Sequence, residues 1–196
     1  MKTRIKFERY SVLILVCLIL ISQHVYAEDS VIDLALEETG FLFLCIAALG
    51  RTWSSAFIAG KKNRTLVTEG PYSIVRNPLY LFSFVGFLGA GMVTESIMLT
   101  IGFGCIFFAT HWNTILDEER RLAELFPAAY QEYKSQVPRF IPSPWLLHNP
   151  ESVPLSPRIF TRALLDSSII ICAIPLSNMI EYAHLHSYLP VLVRIY

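Results

Sequence analysis

The chain has 196 residues, of which 54% are hydrophobic and 16% are charged, and its mean hydropathy is +0.48. A soluble domain of ordinary composition carries about 25% charged residues. The composition therefore excludes a disordered chain and argues against a soluble enzyme. The 16 basic and 16 acidic residues give a net charge of zero, so the overall charge provides no attraction to nucleic acid and no nucleic-acid partner is predicted.

A basic segment followed by a short apolar run opens the chain. Four basic residues lie within the first nine positions, and the apolar run covers 11–22. This order is typical of a signal peptide, and it equally fits a short first membrane span over 10–26. Both interpretations stay open, and the pattern does not decide whether residues 1–27 are cleaved. Under either interpretation, residues 28–38 lie outside the cytoplasm.

Four further apolar runs follow, each near the length that a helix needs to cross a bilayer core of about 30 Å. They cover residues 34–49, 79–93, 97–115 and 164–180. The first of them either ends at Leu49 or continues past Arg51 to Ile58, and Pro175 interrupts the last one. Only three residues separate the run at 79–93 from the run at 97–115, so these two are predicted to form a helical hairpin. The sequence thus predicts an all-α integral membrane protein with about five transmembrane helices.

The basic residues are distributed unevenly between the two sides of this topology. Fifteen of the 16 lie before the first run, between 51 and 76, or between 120 and 162. Because positively charged segments near membrane spans stay in the cytoplasm, the N-terminus and the loops 59–78 and 116–163 are predicted to be cytoplasmic. We therefore expect an integral membrane protein with its functional site facing the cytoplasm.

The four cysteines all lie inside apolar runs, and no two are close in sequence. They are Cys17, Cys45, Cys105 and Cys172. This arrangement disfavours a disulfide framework and C-x-x-C metal sites, so we expect no metal ion. It predicts that the four thiols are buried as small hydrophobic side chains.

The first polar segment, residues 66–80, joins two of the apolar runs and contains a helix start. Asn77 suits the N-cap and Pro78 the first position of a helix. That structural role alone would account for both residues, and Arg76 would then anchor the chain near lipid head groups. A helix N-terminus with free N–H groups beside Arg76 and Tyr80 also suits a carboxylate or phosphate ligand. Both interpretations stay open.

The second polar segment extends the second hairpin helix beyond the membrane. Pro127 is predicted to end this helix, and 128–136 is predicted to form a short amphipathic helix. His111 and Glu118 are seven residues apart and therefore share a helix face. Glu118 and Glu119 are either solvated helix-end carboxylates paired with neighbouring arginines or ligand-binding groups.

The short hairpin turn places the two polar segments at the same ends of its helices. We therefore predict one pocket between them with an apolar membrane floor. Its walls are formed by Arg76, Asn77 and Tyr80 and by His111, Glu118 and Glu119. Such a pocket suits an amphiphilic substrate together with a polar cofactor.

In these two segments the chain resembles the isoprenylcysteine carboxyl methyltransferase family, which is grouped with phospholipid methyltransferases and, more widely, with integral-membrane sterol reductases. The resemblance covers about residues 50–142. The matching residues are Leu66-Val67-Thr68-x-Gly70-Pro71-Tyr72, Arg76-x-Pro78-x-Tyr80, Glu118-Glu119-x-x-Leu122, Phe126, Tyr130, Tyr133 and Val137-Pro138. The resemblance implies a bacterial-type member that uses S-adenosylmethionine as methyl donor without a Rossmann domain.

The resemblance also implies which residues contact the cofactor, and we add Arg76 because it lies beside the helix start. The predicted cofactor-binding residues are Arg64, Thr65, Leu66, Val67, Tyr72, Arg76, Asn77, Pro78, Leu79, Tyr80 and Glu118. Methyl transfer depends mainly on holding donor and acceptor in line. A carboxylate acceptor needs no general base, whereas an amine acceptor would use His111 or Glu119.

Three positions depart from the family pattern. Asn77 stands where the family often has His, and its amide still donates and accepts hydrogen bonds. Thr114 stands where the eukaryotic enzymes carry an Arg that is thought to meet the substrate, which puts a prenylcysteine carboxylate in doubt. Phe57 replaces a polar residue on the cofactor side.

The predicted function is methylation of a lipid-like or prenylated small acceptor that enters from the membrane, with carboxyl O-methylation favoured. The alternatives are an NADPH-dependent membrane reductase of the sterol-reductase type and a non-catalytic membrane adaptor. We divide the chain into a first transmembrane helix or signal peptide (1–27), a methyltransferase-like membrane core (28–142) and a C-terminal extension with a weaker transmembrane helix (143–196).

Overall fold

The computed structural model describes residues 17–24, 26, 30–61, 64–153 and 155–195, and most of these are helical. The helices are α1 (Val31–Ile58), α2 (Pro71–Ile74), α3 (Pro78–Met92), α4 (Ile97–Leu125), α5 (Pro127–Gln136), α6 (Pro157–Ser168) and α7 (Ala173–Leu185). Single 3₁₀ turns cover Pro144–Leu146 and Ile169–Cys172. Two short strands, β1 (Ser22–His24) and β2 (Val193–Ile195), form a parallel pair and are the exception to the predicted all-α fold.

Two stretches of the described residues are long and apolar enough to cross a membrane. They are α4 and the 29-residue stretch Pro157–Leu185, which contains α6 and α7. α3 is apolar but has only 15 residues. The helical character and the two long apolar stretches agree with an all-α membrane protein. The number of five spans and the division into three parts stay predictions.

The first predicted span lies mostly outside the described residues. Residues 17–21 are helical, but the chain then forms β1, so a helix continuing to Tyr26 is wrong. The backbone N–H of Leu192 donates to the carbonyl oxygen of Ile21 at 2.8 Å. The next residues, Ser22–His24, pair with β2. Their backbone N–H and C=O groups therefore bond to β2 and not within a continued helix.

The helical hairpin is confirmed, and its second helix extends further than the apolar run. The observed helices α3 and α4 correspond to the predicted runs 79–93 and 97–115, and α4 continues ten residues further, to Leu125. The turn between them is tight: the N–H of Glu95 donates to the carbonyl of Met92 at 2.8 Å, and Glu95 has a φ of 56°. Pro127 begins α5 one residue after Phe126, so the predicted end of the long helix is also confirmed.

The break in the last apolar run lies before Pro175 and not at it. The helical path changes to a 3₁₀ turn at Ile169–Cys172, and Pro175 is the third residue of α7. A proline is tolerated in the first turn of a helix, where its missing N–H has no intrahelical partner. Its ring would clash with the carbonyl four residues earlier, which places the disruption in the preceding turn.

The chain divides into two compact units. The first comprises Met1–Cys45, Phe84–Thr110 and Ile169–Tyr196. Within it, a Cβ atom added to Gly89 would lie 2.9 Å from the carbonyl oxygen of Gly40, so the backbones of α1 and α3 are in direct contact. Close approach through small residues is how membrane helices pack in the absence of a hydrophobic driving force. The rings of Phe87 and Phe107 pack beside this contact at 5.5 Å.

The prediction that the four cysteines are buried is wrong. Cys17, Cys105 and Cys172 are exposed, Cys45 is partly exposed, and all four are free thiols. An apolar run in a membrane protein has faces that meet lipid as well as faces that meet protein. Apolar neighbours in the sequence therefore do not imply burial within the protein.

The second unit comprises Ile46–Ser83 and His111–Ser168. Its core is a cluster on α5 and the residue that follows it, in which Tyr130, Tyr133 and Val137 are buried. Leu122 and Phe126, at the end of α4, pack against this cluster. The predicted amphipathic helix is thus present, and its aromatic face stabilises the loops that carry the candidate site.

Candidate functional site

Backbone hydrogen bonds fix the loop that precedes α3 against the segment that follows α5. The N–H of Arg76 donates to the carbonyl of Pro138, and the N–H of Ser143 donates to the carbonyl of Ile74, each at 2.9 Å. The N–H of Gly70 donates to the carbonyl of His148, also at 2.9 Å. Because the backbone is anchored at three points, the side chains of this loop have a fixed frame.

Gly70 is required where the loop turns into α2. Its φ of 60° and ψ of −130° belong to a region that only glycine occupies readily. A Cβ atom added there would lie 2.3 Å from the ring of Phe57. Phe57, which replaces a polar residue of the family pattern, thus packs directly against the turn that presents Tyr72.

Glu119 is the centre of a buried polar cluster and not part of a cavity wall. Its carboxylate accepts a hydrogen bond from Asn77 Nδ2 at 2.9 Å. Arg139 donates to both carboxylate oxygens, from Nε at 3.1 Å and from Nη2 at 3.0 Å. Arg76 Nη1 lies 3.8 Å from Oε2. All the groups around Glu119 are donors, so the carboxylate joins three segments of the chain.

Two adjoining cavities lie in the second unit, and we call them the loop chamber and the helix chamber. Both chambers open to solvent, and the empty space in them, with the solvent at their mouths included, is about 700 Å³ for the loop chamber and about 840 Å³ for the helix chamber. Both are lined by Ile58, Tyr72, Arg76, Glu118 and Leu122. Thr65, Leu66, Val67, Arg121 and Tyr133 complete the loop chamber. Arg51, Asn77, Pro78, Leu79, Tyr80, Ser83 and His111 complete the helix chamber.

The wall shared by the two chambers carries buried polar groups that are available to a ligand. The Tyr72 hydroxyl and the Arg76 Nε are buried and have no hydrogen-bond partner among the described residues. Burial raises the pKa of Tyr72 above its ordinary value, so its hydroxyl stays a neutral donor. An unpaired buried donor is costly unless a ligand or water satisfies it.

The helix chamber brings aromatic and titratable side chains together at the start of α3. The rings of Tyr80 and His111 meet edge to face, with centroids 6.0 Å apart. The N–H of Leu81 donates to the carbonyl of Asn77 at 3.0 Å, so Asn77 is in the predicted N-cap position before α3, which begins at Pro78. The Asn77 side-chain nitrogen, however, donates to Glu119 and to the carbonyl of Arg139 at 3.2 Å.

The structure brings together ten of the eleven predicted cofactor-binding residues. Arg64 is the exception, because its side chain is exposed and lines neither chamber. Of the two predicted bases, His111 lines the helix chamber. Glu119 lines neither chamber, and its oxygens accept hydrogen bonds from Asn77 and Arg139. This geometry favours a positioning role for Glu119, and its role as a base stays a prediction.

Sequence reasoning missed Arg51, Ser83 and Arg139. An arginine inside an apolar run is a signal that would have identified Arg51, since charged residues within membrane segments are rarely incidental. No local pattern identifies Ser83. Arg139 is found only from the fold, because its partner Glu119 lies 20 residues away.

The chamber walls fit S-adenosylmethionine in charge and in hydrogen-bonding capacity. The molecule carries a carboxylate, an ammonium group, hydroxyls and a sulfonium. Arg76 would hold the carboxylate and Glu118 the ammonium or the hydroxyls. The Tyr72 hydroxyl offers a further donor, and the rings of Tyr72 and Tyr80 offer aromatic faces to a cation.

Comparison with known proteins defines the class. The family model for phospholipid methyltransferase matches residues 34–129. A nickel-cobalt-cadmium resistance protein from Alcaligenes xylosoxydans xylosoxydans is 34% identical over 192 residues, which cover 97% of this chain and 90% of that protein. A cobalt-zinc-cadmium resistance protein from Cupriavidus metallidurans is 38% identical over 128 residues, covering 65% of this chain and 59% of that protein.

A protein-S-isoprenylcysteine O-methyltransferase from Schizosaccharomyces pombe is 33% identical over 90 residues, covering 45% of this chain and 38% of that enzyme. No solved structure matches. The apolar helices, the family model and these relatives define a membrane-associated protein of methyltransferase type. The chain belongs to the phospholipid methyltransferase family, and it is similar to the isoprenylcysteine O-methyltransferases within it.

Proposed function

We propose that the chain is an integral-membrane S-adenosylmethionine-dependent methyltransferase that acts on a lipid-like or prenylated small acceptor. The observation that carries this proposal is the pair of chambers that share Tyr72, Arg76 and Glu118. We place the polar cofactor in the loop chamber, along the shared wall and at the start of α3 (Asn77–Tyr80). We place the acceptor in the rest of the helix chamber, beside Arg51, Ser83 and His111.

The shared wall positions the two reactants for an in-line displacement. Bound S-adenosylmethionine supplies a methyl group on a sulfonium, and a carboxylate acceptor displaces the thioether without releasing a proton. Arg76 and Glu118 orient the cofactor from the loop side, and Leu122 and Ile58 exclude water from the shared boundary. We favour a carboxylate acceptor. For an amine acceptor, His111 is the base within the helix chamber.

Calorimetry in detergent tests this proposal. The wild-type protein is expected to bind S-adenosylmethionine and not NADPH, and Glu118→Ala is expected to weaken binding at least about tenfold through loss of a charge-assisted contact. Glu124→Ala is the matched control, because Glu124 is exposed on the same helix. Unchanged affinity in Glu118→Ala would contradict the assigned site. Binding of NADPH in place of S-adenosylmethionine would favour the reductase.

We also propose that the chambers face the cytoplasm across a bacterial inner membrane. The support is the concentration of basic residues in the segments 51–76 and 120–162. A reporter fused after residue 148 is expected to be active in the cytoplasm. A periplasmic signal from that fusion would reverse the orientation.

A second proposal concerns the setting in which the activity is used. A relative similar along 97% of this chain is named for nickel, cobalt and cadmium resistance. We therefore propose that the chain supports metal resistance by methylating a membrane component. Wild type, and not Glu118→Ala, is expected to restore growth of a deletion strain on cadmium.

A further inference from the structure

Arg51 places a guanidinium group in the apolar part of α1, at the wall of the helix chamber. It lines that chamber together with Ser83, Tyr80 and His111. It also lines a separate cavity of about 720 Å³ that α6 borders through Ile159 and other residues. A buried guanidinium nitrogen is costly unless a protein group, a water or a ligand satisfies it.

Ser83 holds Arg51 in place, and the carboxylate of Asp166 acts on the Arg51 charge only from beyond ion-pair distance. Arg51 Nη1 donates to Ser83 Oγ, and that hydroxyl donates in turn to the carbonyl of Leu79 at 2.7 Å. Arg51 Nε is buried without a hydrogen-bond partner among the described residues. Asp166 lines the neighbouring cavity but lies 3.9 Å from Arg162, its own ion-pair partner. Within the described part of the chain, no carboxylate lies within ion-pair distance of Arg51.

We propose that Arg51 binds an oxyanion on the methyl acceptor, which makes it the specificity-determining residue of the helix chamber. This inference rests on the proposed function. A guanidinium fixed by Ser83 has its free N–H groups preorganised for a carboxylate or a phosphodiester.

Binding of small amphiphiles tests the inference without requiring turnover. The probes are a farnesylthiopropionic acid, its primary amide and a short-chain phosphatidylglycerol, measured by thermophoresis in a neutral detergent. Wild type is expected to bind at least one anionic probe, and Arg51→Met is expected to weaken that binding at least about tenfold. An effect on the acid alone identifies a carboxylate acceptor. An effect on the phospholipid alone identifies a phosphate.

Two further variants separate anion recognition from damage to the fold. Ser83→Ala leaves the charge in place but releases Nη1, and we expect about threefold weaker binding of the same probe. Arg162→Gln is the control, because Arg162 lines only the neighbouring cavity and is exposed. Its affinity for every probe is expected to match wild type.

The outcomes are distinct from those of the proposed function. If both anionic probes bind Arg51→Met and Ser83→Ala as tightly as wild type, the inference is overturned. Equal affinity of wild type for the acid and the amide, together with no effect of Arg51→Met on the phospholipid, overturns it as well. Loss of S-adenosylmethionine affinity in the same variants would also count against it, because Arg51 does not line the loop chamber.

Discussion

Tyr72 and Tyr133 are joined by a hydrogen bond, but only one of their two hydroxyl groups has a hydrogen-bond partner among the described residues. Tyr133 Oη donates to the carbonyl oxygen of Tyr72 at 2.6 Å, whereas the Tyr72 hydroxyl has no partner among the described residues. Tyr72→Phe is therefore expected to leave the melting temperature unchanged or slightly raised and to weaken S-adenosylmethionine binding about three- to tenfold, the value of one hydrogen bond. Calorimetry and thermal unfolding in detergent measure the two effects.

Tyr133→Phe is the matched comparison. It removes a bond that the protein makes to itself and is expected to lower the free energy of unfolding by about 1 kcal/mol. If Tyr72→Phe destabilises the protein as much as Tyr133→Phe does and leaves cofactor affinity unchanged, the Tyr72 hydroxyl has a structural partner and not a ligand.

Glu119 and Glu118 are adjacent in α4, and removing the charge of each is predicted to have a different effect. The change at Glu119 should lower stability, and the change at Glu118 should lower cofactor affinity. Glu119→Gln leaves Arg139 and Arg76 without their carboxylate in a buried cluster. Because Arg139 is partly exposed, we expect a loss of about 2–3 kcal/mol, below the value for a fully buried pair. Glu118→Gln is expected to retain stability and lose cofactor affinity. A normal melting temperature in Glu119→Gln would contradict the positioning role.

At the scale of elements, the turn from Gly70 into α2 links the backbone to the chamber. Gly70→Ala is expected to cost about 2–3 kcal/mol, because it combines a positive φ with a contact of 2.3 Å to Phe57. It should also weaken cofactor binding, since Tyr72 lies two residues further on. Thermal unfolding and calorimetry on the same sample measure both quantities.

Gly60 provides the control for this prediction. It also has a positive φ, 75°, but a Cβ atom there would meet nothing within 4 Å. Gly60→Ala is therefore expected to cost about 1 kcal/mol through strain alone and to leave cofactor affinity unchanged. Equal losses in the two variants would show that the contact with Phe57 does not matter.

At the scale of the whole molecule, the hairpin turn makes stability depend on pH. Burial raises the pKa of Glu95 to about 8 from an ordinary value of 4.5, and nearby carboxylates add to the shift. These carboxylates are Glu181, Asp33 and Glu37. Glu95 and Glu181 also line a cavity in the first unit together with His184. Between pH 4.5 and 8 the folded chain holds a proton that the unfolded chain has lost, so stability is expected to fall as pH rises through this window.

Glu95→Gln tests this pH dependence. The variant keeps the neutral form at every pH, so its melting temperature is expected to exceed that of wild type at pH 8 and to match it at pH 5. Glu38→Gln, at an exposed position of α1, is expected to change neither value. A wild-type melting temperature that rises from pH 5 to pH 8 in parallel with Glu95→Gln would contradict the assignment.

Proline and the short hairpin turn made several elements predictable from local sequence. α3 begins at Pro78 after Asn77, and α5 begins at Pro127 after α4 ends, because proline fixes φ and cannot donate within a helix. The hairpin in turn places Tyr80 beside His111. The exposure of the cysteines was not predictable, because hydropathy does not distinguish a lipid-facing surface from a protein-facing one.

By itself, the sequence determined the helical membrane class, the helix boundaries set by prolines, and the family. These depend on composition and on residues that are neighbours in the chain. Only the tertiary structure decided the pairing of Glu119 with Asn77, 42 residues away, and the parallel pairing of β1 with β2 near the opposite end of the chain. It also decided which polar groups keep unused donors, since a hydrogen bond between distant segments leaves no periodic signal in the sequence.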